Sequence, residues 1–206
     1  MLSKRLIGFF AANLMLLIYS EQVWAEPVVG QPAPIFSGAA AEGGTLNLND
    51  LRGKTVILEW TNHECPFVQK HYESGNIPKL QKQAADQGIV WLQVISSAPG
   101  KQGNIDAATA KKINQERGAS PSNTVFDPSG SIGKQYNATN TPQLFIIDAK
   151  GILLYKGGID SIPSADSSDI PAAENYIASA LKELSAGKPI SKSVTKPYGC
   201  TVKYAG

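Results

Sequence analysis

Cys65 is one of only two cysteines in 206 residues, and it lies in the segment EWTNHECPFVQKHY over 59–72. A C-x-x-C dithiol would carry its second sulfur at position 68, which is Val68. Pro66 suits the first turn of a helix, where its missing N–H is not needed. A thiol at such a helix start faces unpaired backbone N–H groups and the positive end of the helix dipole, which favour the thiolate. Cys65 therefore reads as a nucleophile rather than as a small core hydrophobe. His63 and Glu64 flank it. His63 is a candidate proton donor, or a stabiliser of the thiolate when protonated, against the alternative of an exposed loop histidine. Glu59 stands six residues before the thiol in an otherwise apolar strand. A carboxylate buried there would have a raised pKa and could exchange a proton with a leaving thiol through water; otherwise it is a partly exposed strand end. Lys70 and His71 fall on the helix side away from the thiol and suit the surface or a contact between helix and tail.

The second sulfur, Cys200, sits in KPYGCTVKY, in a tail that has Lys188, Lys192, Lys196 and Lys203 and no acidic residue. Gly199 permits close backbone approach or unusual dihedrals. If the tail folds back, Cys200 can resolve a mixed disulfide or a sulfenate at Cys65 and close a Cys65–Cys200 bond. A permanent staple, or no contact at all, are the alternatives. A staple closing about 135 residues would stabilise by roughly 5 kcal/mol in the chain-entropy treatment.

At the start of the chain, Lys4 and Arg5, the apolar run LIGFFAANLMLLIYS and the small-residue site around Val23 and Ala25 read as a secretory signal peptide over 1–25. The apolar run is short for a membrane span. Loss of Lys4, Arg5 and Glu21 lowers the formal charge from +2 to +1, so there is no electrostatic case for nucleic acid. An oxidising compartment permits a disulfide. GQPAPIF (30–36) is an irregular opening segment, and GGTLNLNDLRGK (43–54) a short strand and turn. TVILEW (55–60) and IVWLQVIS (89–96) are buried strands. Residues 66–87 form a helix with a break near Ser74-Gly75-Asn76 and Pro78. Helices come next at 105–117, 131–136 and 171–184, the last with Pro171 at its start. TVFD (124–127) is a short strand, and TPQLFIID (141–148) and ILLYKG (152–157) pair antiparallel across a tight turn. This alternation predicts an α/β sandwich with a mixed central sheet.

From about residue 28 to 185 the chain resembles the thioredoxin-like superfamily, in its redoxin or AhpC/TSA-type branch. GQPAPIF, LNDLRGKTVILEW, the Cys-Pro turn, TPQLFIID and the AKG after it carry that likeness in order and spacing. WTNHECPFVQKHY and the terminal GCTVKY resemble a peroxiredoxin-like subgroup that keeps only the first of two active-site cysteines. The resemblance implies a three-layer α/β/α sandwich, with a redoxin domain over 26–187 and a tail over 188–206. It places Cys65 on the nucleophile, Val68 on the missing resolving cysteine, Glu59 on a buried acid, and Pro142 on a proline that comes after a cis peptide bond. Thr141 would then lie against the Cys65 sulfur, where an extended substrate adds alongside. Two positions depart from true peroxiredoxins. Asn62 stands where a Thr or Ser holds the peroxide, with Thr61 one residue off, and Pro142 stands where an arginine activates it. Fast peroxide chemistry is therefore not expected, although Asn62 or His63 offers a slower route.

The leading expectation is an exported thiol oxidoreductase exchanging disulfides through Cys65, with Cys200 resolving, Glu59 and Pro142 in the catalytic set, and Thr141, Asn62 and His63 touching substrate. Its partners would be a protein or small-molecule disulfide, thiol or peroxide and an unidentified thiol reductant, with no nucleic acid, no cofactor or metal, and no membrane insertion after leader removal. A peroxide reductase is the alternative. A third reading, a non-enzymatic module binding Cu(I) through Cys65, His63 and Cys200, is weakened because no histidine comes after His71. A redoxin domain that has lost its chemistry and serves in protein interaction is the last.

Overall fold

The computed structural model describes residues 26–205. The leader expected over 1–25 lies outside the described residues. Seven strands form one mixed sheet: β1 (Ser37–Ala40), β2 (Thr45–Asn47), β3 (Val56–Trp60), β4 (Val90–Ile95), β5 (Asn123–Phe126), β7 (Gln143–Ile147) and β8 (Leu153–Gly157). Their spatial order is β2-β1-β5-β4-β3-β7-β8, with β3, β4 and β5 parallel and the other pairs antiparallel. Two further strands, β6 (Asn140–Thr141) and β9 (Cys200–Thr201), make a separate antiparallel pair.

The interior strand β3 is buried at every position, which is why its sequence shows no alternation. Successive side chains still point to opposite faces. Ile57 joins Leu144 and Ile146 in one core, while Val56, Leu58 and Trp60 join Phe145 and Ile147 in the other. The first core is covered by α1 (Pro66–Glu73), α2 (Asn76–Asp86) and α5 (Tyr176–Ser185), and the second by α4 (Ser131–Gln135) and the opening segment around Ala33 and Phe36. The helix α3 (Ala107–Glu116) buries only Ala110 and reaches the sheet through the Asn114 side chain in its last turn, bonded to Gln93. The result is a thioredoxin-like α/β/α fold.

Two expected boundaries need correction. The helix expected over 171–184 begins at Tyr176, because the Asn175 side chain accepts the Ala178 N–H at 2.9 Å and caps it. Pro171 lies before it, beyond a 3₁₀ turn at Ser167–Asp169. The strand expected over 141–148 is split at Pro142, which has no N–H to give to a ladder. Asn140 and Thr141, before the proline, pair with the tail, whereas Gln143–Ile147, after it, pair with β3.

The tail is bonded along its course. The Lys156 N–H donates to Ser193 O and the Thr195 N–H to Lys156 O, fixing it along β8. Beyond β9 the Val202 N–H donates to Thr139 O and the Ala98 N–H to Lys203 O, while the Tyr204 hydroxyl donates to Ala138 O. Among the described residues no helix is long and apolar enough to cross a membrane.

Candidate active site

Cys65 is the cap residue of α1, in extended backbone, and its carbonyl accepts the N–H groups of Val68 and Gln69 at 2.9 Å. Its own N–H donates to Asn62 O at 3.0 Å, closing the turn out of β3. The thiol is fully buried. Cys200 reaches it because β9 pairs with β6, which sets Cys200 opposite Thr141. The two thiols are free, with sulfurs 2.7 Å apart. An S–S bond measures about 2.05 Å, so oxidation requires well under 1 Å of sulfur movement. Gly199 has φ +114°, and a Cβ there would collide with the Thr141 carbonyl. The close passage of tail over β6 thus needs glycine.

The environment divides the two thiols. Burial raises the Cys65 pKa, but hydrogen bonding with the Cys200 thiol, the Thr141 side chain and the backbone of Cys200 and Val68 outweighs it and brings the thiol below its ordinary value. Burial, with the bond to Cys65 and the charge there, pushes Cys200 up to about 11. When the pair has lost one proton, these influences favour the charge at Cys65 and the remaining proton on Cys200. Thr141 lies beside both: its carbonyl oxygen is 3.2 Å from the Cys65 sulfur, placed to accept the S–H of the protonated form. The Thr141–Pro142 peptide is cis.

A buried thiol at a strand-to-helix turn, facing a cis-proline loop, is accompanied by a match of residues 29–156 to the AhpC/TSA family. The chain belongs to the AhpC/TSA family. It is 28% identical over 149 residues to the thioredoxin-like protein YneN of Bacillus subtilis, covering 72% of this chain and 81% of that one. It is 28% identical over 164 residues to the thiol:disulfide interchange protein DsbE of Allochromatium vinosum, covering 75% and 83%. Among solved structures, an uncharacterized conserved protein from Geobacillus kaustophilus superposes with a TM-score of 0.71 at 23% identity, covering 86% of this chain and 93% of that one. The last likeness is one of fold.

Around the thiol pair of this AhpC/TSA chain, Asn62 is buried and its side-chain oxygen accepts the Glu64 N–H at 3.0 Å, so it shapes the loop before Cys65. Glu64 in turn accepts the Gly103 N–H at 2.6 Å, tying that loop to the one after β4. His63 is half-buried, and burial, outweighing the Glu64 charge, pulls its pKa down. Its Nδ1 has no partner, and the Cys65 side-chain bonds run to Thr141 and Cys200. Glu59 is fully buried and is not a strand end open to water. It accepts the Tyr72 hydroxyl at 2.7 Å and the Trp91 indole N–H at 2.7 Å. Burial raises its pKa against the pull of those bonds and of Arg117, and no direct bond joins it to Cys65. Among the described residues no group of three or more His, Cys, Asp or Glu side chains is arranged to hold a metal ion.

Sequence reasoning passed over Tyr198 and Asp160. The Tyr198 hydroxyl donates to Asp160 Oδ1 at 2.5 Å and lies 3.0 Å from His71 Nε2. Its ring meets Phe67 edge-on at 5.9 Å between centroids. His71 is fully buried, so of the two roles expected for it the structure shows the contact between helix and tail. A histidine on the first helix and a tyrosine two residues before Cys200 were the only signals available, and nothing in their spacing joins them.

Proposed function

We propose that this protein is an exported thiol oxidoreductase in which Cys65 attacks a disulfide and Cys200 resolves the product. The observation that carries this reading is the 2.7 Å approach of the two sulfurs, delivered by a strand pairing rather than by a C-x-x-C spacing. The Cys65 thiolate attacks RSSR, forms Cys65–S–S–R and expels RS⁻. Cys200 then gives up its proton and attacks the Cys65 sulfur, closing the intramolecular bond and releasing the second thiol. Two thiols of the protein are oxidised and one disulfide is reduced to two thiols. A dithiol reductant reverses the change. The division of charge between the thiols suits these roles, because the nucleophile must be the thiolate and the resolving thiol must wait protonated. The Thr141 carbonyl lies against the sulfur, Pro142 follows it in the chain, and Glu59 takes part as a buried proton store. Membership of the AhpC/TSA family and likeness to a thiol:disulfide interchange protein support the reaction class, and the leader sequence supports export.

Peptide mapping without reductant, before and after a small disulfide oxidant, tests the reading. A Cys65–Cys200 peptide should appear, and C200S should instead accumulate the mixed disulfide at Cys65. Oxidant equivalents carried by neither cysteine would sink it.

Family membership also keeps a peroxide reductase in view. There Cys65 would become a sulfenic acid and Cys200 would expel water from it to form the same bond. Asn62, whose side-chain oxygen is turned into its own loop, and Pro142 in place of an arginine remove the two donors that would polarise the O–O bond in a fast peroxidase. Peroxide consumption should therefore run near the rate of a free thiol of the same pKa, and a rate orders of magnitude higher would favour the peroxidase.

A further inference from the structure

Cys200 belongs to a tail tied down after it by Val202, Lys203 and Tyr204, whereas on the side before it the two-residue strand β9 and the Asn140 bond to Gly199 O leave the approach to be fixed further back. Two residues earlier, Tyr198 enters a buried polar cluster formed by α1 and the segment after β8. Asp160 is 2% exposed and His71 is fully buried. Asp160 Oδ1 accepts both the Tyr198 hydroxyl at 2.5 Å and the Ile162 N–H at 3.1 Å, while its Oδ2 has no hydrogen-bond partner and lies 3.7 Å from His71 Nε2.

The donors in this cluster can be ordered. Asn175 Nδ2 donates to Asn76 Oδ1 at 3.0 Å, which leaves the Asn76 amide N–H to donate to His71 Nδ1 at 2.8 Å. His71 Nδ1 is then an acceptor, so the proton of the neutral ring is on Nε2 and points at the Tyr198 oxygen. That oxygen, having accepted, gives its own proton to Asp160. Every bond from Asn175 to Asp160 runs in one direction and ends on a carboxylate, an arrangement in which each bond polarises the next. Only a hydroxyl both accepting and donating completes it at Tyr198.

We propose that Tyr198 is the positioning residue for closure of the Cys65–Cys200 bond, its hydroxyl pinning the tail in the His71–Asp160 cluster so that Cys200 is presented to the Cys65 sulfur. The proposal rests on Cys65 and Cys200 forming a redox couple. The Tyr198 hydroxyl bonds to His71 and Asp160 and to neither sulfur. Its effect passes through Gly199, which crosses the Thr141 carbonyl too closely to admit a side chain, and so transmits the anchor to Cys200 with little slack. The advantage is that of an intramolecular reaction with its reactants already oriented. The reaction affected is Cys65–S–S–R plus the Cys200 thiolate giving Cys65–S–S–Cys200 plus RS⁻, with oxidised glutathione as the disulfide in the test.

The Y198F variant keeps the ring and its contact with Phe67 and removes only the hydroxyl. Full-length wild-type protein and Y198F are equilibrated in glutathione redox buffers, and the fraction of Cys65–Cys200 bond is read by mass spectrometry. The wild-type equilibrium constant should exceed that of Y198F at least tenfold, equal to about 30 mV for a two-electron couple. Alkylation of Cys65 by a small reagent should be faster in Y198F, because a loosened tail uncovers a buried thiol. An unchanged equilibrium constant and alkylation rate, even with a lower melting temperature, would mean that Tyr198 serves stability only, and the proposal would fall. No intramolecular bond in the wild-type protein would instead remove the redox couple itself.

Discussion

At the scale of single residues, the Cys65 pKa is lowered chiefly by a partner distant in sequence. Helix-start N–H groups were the sequence-based reason to expect a depressed pKa, and the Val68 N–H does contribute. The bond from Cys200 is the larger stabilising influence, and burial works against both. Titrated by ultraviolet thiolate absorbance, the wild-type pair should show a first step below the ordinary range of about 8.5 and a second near 11. In C200A a single step should remain, moved upward, because burial then acts without its main counterweight. A step unmoved from the wild-type first value would show that α1 alone sets the thiolate. The approach of Cys200 was suggested by the sequence only as one of three options, since an isolated cysteine in a polar tail does not say where it lands.

At the scale of elements, the legible parts were those whose own composition fixes them. The fully apolar TVILEW gave a buried strand, Pro66 a helix start, and Ser74-Gly75 a break, seen as Gly75 at φ +72° between α1 and α2. The Pro171 start was misplaced because two helix-start signals compete four residues apart, and the side-chain cap at Asn175 prevails over the proline. The pairing of β6 with β9 was not legible. Its two strands are two residues each and show no periodicity, and they are held by contacts some 60 residues apart in sequence. Gly199 is the residue on which that pairing turns. G199A places a side chain both in a left-handed backbone conformation and against the Thr141 carbonyl, a cost on the order of 1–3 kcal/mol for the backbone alone. The expected outcome is a tail released locally rather than a domain unfolded: tryptic cleavage after Lys203 should quicken and the Cys65–Cys200 bond should form more slowly, with the melting temperature of the core little changed. A G199A protein with wild-type rates of both would contradict the close passage.

At the scale of the whole molecule, two buried ionisable groups on the same face of the sheet make stability respond to pH in opposite senses. His71 is pulled down to about 4, by burial first and by Lys70, against the attraction of Asp160. Protonating Nδ1 would also set it against the Asn76 amide N–H that it now accepts. A histidine with a lowered native pKa binds fewer protons folded than unfolded, so its contribution is complete above about pH 6.5 and is lost as pH falls toward 4. With those two values the loss by pH 5 is about 2 kcal/mol. Glu59 has a raised native pKa from burial. Its contribution is complete below its unfolded pKa and is lost as pH rises through the native one. Acidification from pH 7 thus weakens the fold at His71 and strengthens it at Glu59, and the wild-type protein shows only the difference. E59Q removes the Glu59 response while keeping an oxygen to accept the Trp91 indole N–H. Urea midpoints measured at pH 7.5 and pH 5 should therefore fall further on acidification in E59Q than in the wild-type chain. Relative to wild type, the variant should gain stability at the higher pH and lose that gain at the lower. Equal falls in the two proteins would show that Glu59 keeps its charge on both sides of the unfolding equilibrium, and that its place among Tyr72, Trp91 and Arg117 compensates its burial.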